Sequence, residues 1–523
     1  MTRSAEPVTE FLKLNRELST KRSKGVPPIL VDAAYRDPYI VACTMKIAHC
    51  VATLTNRALV VVTSPTISRE TAEIVDSFGP LRVVSIKDLA IRGARARWHR
   101  ILSATMTIRT GDDLVSSSWA DLAVGPHLYD TLLMRCGLPS IEVLSARQRL
   151  HVFFELCVLE GFRRLVQQLQ PDMAILPDHV YRAGGFFEIL ACRRIPMLAG
   201  IDVNGLAVHY WPRTEAFSSH CRTPDMALVE LVARTPSLMN QAEAYLQRRT
   251  SGNEAQHDVR RAYDESAVFL DHPELCATMQ LTGSKPIVLV AAHVFSDAPH
   301  ACRGLIFKDY KVWLMETCRL LKTNPNVEFV VKEHPSAELY NEQGLTKQFL
   351  AREGCADRLL PVRVNTKSLF QCVDTVITCG GTAGAEFPCY GVPVLLAAGA
   401  PYDGLGYTRR AHDAVEYAEE IGRIQSYDKL TPLDMQRAKA ALFVMQSVSK
   451  IPTVEVGLGS QPFMKGTNLD FVVFLQEAIQ DLKDGSGHRR LSDALGKLLD
   501  GPYKNMVNTQ ILCKGREALD RVL

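Results

Sequence analysis

Short runs of β-branched and aliphatic residues recur along this chain between helical stretches, and they leave few folds open. Ala58-Leu59-Val60-Val61-Val62 is the clearest. A run of this kind, without polar alternation, suits a strand buried on both faces, as in a parallel sheet. Ile29-Leu30-Val31, Leu81 to Ser85, Met173 to Leu176 and Pro196 to Ala199 repeat the pattern. Helical material lies between them, at about 38–54, 68–77 and 182–193. The stretch from about 87 to 170 reads as mostly helical. Within it Val152, Phe153, Leu156, Leu159, Phe162, Leu165 and Leu169 keep helical spacing. Residues 26–215 therefore predict one α/β domain with at least five strands.

The alternation restarts at Pro286 to Ala291 and continues through Glu328 to Lys332, Thr375 to Thr378 and Val392 to Leu396. This predicts a second α/β domain over 284–430. Residues 216–283 read as a polar helical connection, 1–25 as a tail or helix, and 431–523 as a helical C-terminal region. Ligands of open parallel sheets bind at the C-terminal strand ends. Two such domains in tandem set those ends across a cleft.

Composition removes other classes. Of 523 residues, 47% are hydrophobic and 22% charged, which is ordinary for a globular chain and excludes a disordered one. Sixty Lys and Arg oppose 57 Asp and Glu, a net charge of +3, too balanced for a dedicated nucleic-acid binder. The 14 cysteines are scattered without a CxxC pair, which argues against a zinc ribbon and for buried thiols in a reducing compartment. No signal-like apolar core opens the sequence and no long uncharged apolar run follows, so a cytoplasmic location is expected.

Four strand ends carry the chemistry. The first is the segment 376–408. A strand ends at Thr378, Gly380-Gly381-Thr382-Ala383-Gly384 turns, and a helix is expected from near Ala385 to Gly391. Backbone N–H groups at such a helix start suit a phosphate, and Glu386 one turn on suits sugar hydroxyls. A strand–turn–helix connection that uses glycine for geometry alone fits the same residues. The second is Lys332-Glu333-His334-Pro335, where His334 can donate to a phosphate and Lys332 adds charge. A solvated loop is the alternative. The third follows the strand at 291 and places His293, Asp297 and His300 at a sheet edge. These do not have metal-ligand spacing, and no Asp-x-Asp triplet occurs, so no metal site is expected. The fourth is Asp178 to Gly184. Asp178 is either a general base for an acceptor hydroxyl or the cap of the next helix.

The order of strand-HVFSDAPH, strand-KEHP and GGTAGAEFPCYGVPVLLAAGAPYDGLGYT resembles the bacterial capsule polysaccharide synthesis glycosyltransferases. The matching positions are His334-Pro335, Thr382-x-Gly384-x-Glu386, Gly391-Val392-Pro393-Val394, and Pro401-Tyr402 with Gly406-Tyr407-Thr408. About 120 residues of the second domain share the likeness. It implies a GT-B architecture, with two Rossmann-like domains whose parallel sheets face a cleft and with the nucleotide donor on the C-terminal one. It also implies metal-independent transfer with no cofactor. Members that form Kdo or sialic-acid linkages use CMP-sugars, and related teichoic-acid polymerases use CDP-glycerol. By carry-over His334 binds the donor phosphate, Thr382 with the amides of Gly380, Gly381 and Gly384 holds phosphate or nucleotide, and Glu386 binds the ribose. Lys332, Tyr402 and Thr408 join this donor site. Asp178, Asp297 and His293 are the candidate catalytic groups. Glu333 and the Gly380-Gly381 pair depart from the family pattern.

The leading reading is a glycosyltransferase that moves a sugar from a nucleotide, CMP favoured, to a glycan or lipid-linked acceptor. A sugar-nucleotide 2-epimerase and a non-catalytic nucleotide-sugar scaffold are the alternatives. Arg92, Arg95, Arg97, His99, Arg100 and Arg109 crowd one stretch with no acid until Asp112. That stretch is either a solvated helix face or a peripheral contact with anionic lipid.

Overall fold

The computed structural model describes residues 5–18, 26–202, 205–213, 221–252, 256–458 and 468–513. Among these residues twelve strands form two sheets. In chain order they are β1 Ile29–Ala33, β2 Leu59–Thr63, β3 Arg82–Ser85, β4 Met173–Leu176, β5 Met197–Asp202 and β6 Gly205–Trp211. The rest are β7 Ile287–Ala291, β8 Glu328–Lys332, β9 Thr375–Thr378, β10 Val394–Leu396, β11 Thr408–Arg410 and β12 Ile451–Pro452. The first sheet has the order β12-β6-β5-β4-β1-β2-β3, and the second β11-β10-β9-β7-β8. The second is parallel throughout. The first is parallel from β5 to β3, with β6 and β12 added antiparallel at one edge.

Each sheet is covered on both faces, which is why its strands read as unbroken apolar runs. Ile29, Val31, Leu59 and Val61 pack into one core, whereas Leu30, Val60 and Val62 pack into another across the sheet. In the second sheet Ile287, Leu289, Val330 and Val376 face one core, and Val288, Val290, Val331 and Ile377 the other. Helices from 226 to 279 supply Leu228, Val232, Leu238, Leu246 and Leu275 to the second sheet's core. The helix Pro432–Phe443 packs there too. The chain then returns: β12 joins the first sheet, and Leu475, Leu482, Leu491 and Leu498 cover that sheet beside Phe11 and Leu12.

In each sheet the strand order reverses beside one strand. It reverses between β1 and β4 in the first sheet and between β7 and β9 in the second. A crevice opens at the C-terminal ends of such a pair. The long loop after β7 carries the second domain onto the first. Tyr181 Oη donates to Asp297 Oδ1 at 2.6 Å, His300 N–H donates to Asp130 Oδ2 at 3.0 Å, and Tyr129 Oη donates to Asp309 Oδ2 at 2.5 Å. Arg303 pairs with Glu188 across the same seam.

Two expectations need correction here. The helix after the glycine turn begins at Ala383, not near Ala385, and is a single α-turn to Glu386. Pro388 has no N–H to donate back, so the chain continues as a 3₁₀ turn, Phe387–Tyr390, and leaves through Gly391 at φ +88°. Among the cysteines, Cys221 and Cys302 form a disulfide with Cα atoms 5.1 Å apart, 81 residues apart in sequence. Eight of the other described cysteines are buried thiols, as expected.

Candidate functional site

The second sheet's crevice is a cleft of about 610 Å³ of empty space, part of it open to solvent. His293, Lys332, Glu333, His334, Thr378, Gly381, Thr382 and Glu386 all line it. Three segments that lie far apart in the chain, after β7, β8 and β9, therefore converge on one volume.

The turn after β9 is held from three sides. His293 Nε2 lies 3.0 Å from Thr378 Oγ1 and accepts the Cys379 N–H at 3.2 Å. An accepting Nε2 places the ring proton on Nδ1. Burial drives the pKa of His293 down to about 3, so the ring is neutral, and it stacks on Tyr310 with centroids 4.2 Å apart. Tyr402 Oη donates to the Gly381 carbonyl at 2.5 Å. A Cβ on Gly384 would lie 2.2 Å from that hydroxyl, so glycine is required there for close approach. The amides of Gly384, Ala385 and Glu386 turn back to the carbonyls of Gly381 and Thr382. Those of Thr382 and Ala383 have no acceptor among the described residues.

Glu386 is 4% exposed, and both its oxygens are engaged. Arg249 Nε donates to Oε1 at 2.7 Å and Tyr263 Oη to Oε2 at 2.5 Å. Each oxygen keeps one lone pair beside the cleft.

On the opposite wall His334 Nδ1 accepts the Ser336 N–H at 3.1 Å, which leaves the neutral ring's proton on Nε2 as a donor. Burial lowers the pKa of His334, and the carboxylates of Asp258 and Asp297 oppose that shift. Lys332 donates to the Val364 carbonyl at 2.6 Å, and burial lowers its pKa to about 8. No carboxylate pairs with it among the described residues. A desolvated lysine and a desolvated imidazole donor in one cleft favour an anion, which restores the charge that burial penalises.

The three catalytic candidates are placed differently. Asp297, exposed at the domain seam, accepts hydrogen bonds from Tyr181 of the first domain and Tyr340 of the second. Tyr181 holds φ +55°, a left-handed conformation that costs a non-glycine residue about 1 to 3 kcal/mol. Asp178 lies at the first sheet's crevice, with its side chain 40% exposed. Its Oδ1 accepts the His179 N–H at 2.7 Å. It does not cap the following helix, whose N-cap is Val180 without a side-chain bond. His293 supports the turn, as described. Tyr402, Gly380 and Gly384 also serve the turn from outside the cleft lining, and Thr408 lies on edge strand β11, likewise outside it.

Several groups had no signal in the sequence. Asp258 and Tyr263 line the cleft from the connecting helices, and Arg249 anchors Glu386 from 137 residues upstream. Asp32, the last residue but one of β1, is 3% exposed, and burial raises its pKa to about 6.

Residues 223–426 match the family model described as Capsule polysaccharide biosynthesis protein. Over this segment, less than half of its length, the chain is similar to that family. No curated protein sequence matches the chain. Among solved structures it is similar to Thermosulfurimonas dismutans KpsC, a beta Kdo 2,4 transferase, at 19% identity and TM-score 0.32. That likeness covers 51% of this chain and 79% of that one. The Neisseria meningitidis UDP-GlcNAc 2-epimerase is similar at 10% identity and TM-score 0.24, covering 80% and 99%. Anabaena Alr3699/HepE, solved with UDP and glucose, is similar at 10% identity and TM-score 0.26, covering 91% and 99%.

Proposed function

We propose that this protein is a glycosyltransferase of surface-polysaccharide synthesis. It moves a sugar from a nucleotide donor, CMP favoured, to a glycan or lipid-linked acceptor. The observation that carries the reading is the convergence of Lys332, His334 and the amides of Thr382 and Ala383 on one cleft. All are donors or cations, so they suit the phosphate of a nucleotide-sugar. As the glycosidic bond breaks, charge builds on that phosphate, and donors fixed in the cleft wall stabilise it. Glu386, held by Arg249 and Tyr263, offers its remaining lone pairs to ribose hydroxyls. Asp297, whose charge is felt at His334 and which Tyr181 and Tyr340 hold, takes the acceptor proton. Asp178 is the alternative base from the first sheet's crevice.

The transfer needs no metal on this reading. Activity that EDTA abolishes would remove this part.

The test is turnover of CMP-, CDP-, UDP- and GDP-sugars with and without an acceptor fraction. Acceptor-dependent release of one nucleotide supports transfer. Acceptor-free conversion of the sugar indicates an epimerase, and binding without consumption indicates a scaffold.

A further inference from the structure

The helix Ile86–Thr107 spends one face inside the protein and leaves the other bare. Its inner face packs on the helix Ala146–Leu169 so closely that a Cβ on Gly93 would lie 1.9 Å from the Cys157 carbonyl. Ile86, Leu89, Ile101 and Thr105 are buried there. On the outer face Ile91 is 41% exposed, Trp98 47%, Leu102 41% and Met106 59%. Trp98, Leu102 and Met106 repeat every four residues beyond a kink at Arg97, so they share one stripe. Arg95 and Arg100 on the same helix are exposed, and Arg92 is half-buried. Arg92 shares its charge with Asp88 one turn away and Arg97 is paired with Glu160 at 3.5 Å, whereas no ion pair among the described residues involves Arg95 or Arg100. No acidic residue occurs between Asp88 and Asp112. Two further apolar side chains are exposed nearby, Val83 at 43% on the edge strand β3 and Leu81 at 49% just before it.

Large apolar side chains exposed in one stripe mark an interaction surface. Their flanking charge selects the occupant. A second copy docked on this face by a two-fold axis would set arginines against arginines. An anionic bilayer supplies the opposite charge along with an apolar layer. Tryptophan, with its polar edge and apolar body, suits the boundary between the two.

We propose that the outer face of the helix Ile86–Thr107 docks on an anionic lipid bilayer. Trp98, Leu102 and Met106 enter at headgroup level, and Arg92, Arg95 and Arg100 meet lipid phosphates. The surface lies outside the nucleotide cleft, so docking and donor binding are separable.

The chain carries its own probe. Of its four tryptophans, Trp119, Trp211 and Trp313 are 8%, 3% and 0% exposed, so Trp98 alone senses the surroundings of this face. The experiment mixes the full chain with vesicles of phosphatidylcholine alone or with one third phosphatidylglycerol. Co-sedimentation and tryptophan emission are the readouts. Binding to the anionic vesicles only, weakened by salt, with a blue shift that Trp98→Phe removes, is the expected result. The double variant Arg95→Gln/Arg100→Gln binds about 25-fold more weakly, at about 1 kcal/mol per arginine near the surface. Unchanged thermal denaturation shows that each variant is folded. Absence of sedimentation, equal binding to both vesicle types, or an emission that vesicles do not move overturns the proposal. So does a lipid-free blue shift that grows with protein concentration as a dimer forms. The assay needs neither donor nor acceptor, so its outcome is separate from that of the transferase reading.

Discussion

Replacing Arg249 by methionine tests whether the glycine turn is built on a buried ion pair. Arg249 is 1% exposed and holds Glu386 at 2.7 Å, while Tyr263 takes the other oxygen at 2.5 Å. Arg249→Met leaves the carboxylate buried with one partner. Removing one member of a buried pair costs about 3 to 5 kcal/mol, because the survivor's charge is uncompensated. For a domain of this size each kcal/mol shifts Tm by about 2 to 4 °C, so the expected fall is about 6 to 20 °C. The assay is thermal denaturation followed by near-ultraviolet circular dichroism. The double variant Arg249→Met/Glu386→Leu removes both charges and restores most of the loss, because apolar side chains of similar volume replace buried ion pairs nearly neutrally. A single variant that loses less than about 2 °C, or a double variant as unstable as the sum of its parts, would refute the reasoning.

Three further outcomes follow from the same geometry. Gly384→Ala drives a Cβ to 2.2 Å from the Tyr402 hydroxyl, so it opens the turn and weakens nucleotide binding, and Tyr402→Phe in the same chain recovers part of the affinity. Asp32 has its pKa raised from 3.8 to about 6 by burial, so the folded state holds its proton more tightly than the unfolded one. Stability is then lost as pH rises from 4 through 6, and Asp32→Asn stabilises the protein at pH 8 by up to about 3 kcal/mol but not at pH 4, as urea titration at the two pH values checks. His209, buried against Asn505 with its pKa lowered to about 4, acts in the opposite sense. Its contribution is complete above pH 6.5 and is lost as pH falls toward 4, so His209→Gln flattens the acid limb of the stability curve.

Much of the fold was legible because the sheets are covered on both faces. Such strands need unbroken apolar runs, and β1, β2, β4, β7, β9 and β10 supply them. The two antiparallel strands were not. β6 mixes Gly205, His209 and Tyr210 into its run, and β12 has only two residues, so neither has a local pattern strong enough to read. The glycine turn was legible, because few other local structures place Gly380, Gly381 and Gly384 between a strand and a helix. Its supports were not. Arg249 lies 137 residues from Glu386, and Tyr181 lies 116 from Asp297. Only the folded chain brings them together. Tyr402 and His293 were singled out from the sequence as candidates, but their action on the turn itself emerges only from their hydrogen bonds.

The central claim is that Lys332, His334 and the turn amides hold a nucleotide phosphate. Isothermal titration of CMP, CDP, UDP and GDP into the protein and into His334→Ala tests it most directly. The account predicts one preferred nucleotide, bound at least about tenfold more weakly by His334→Ala, since a hydrogen bond to a charged group is worth about 1.5 to 3 kcal/mol. Equal affinity in the two proteins, or no nucleotide bound by the intact chain, would contradict it.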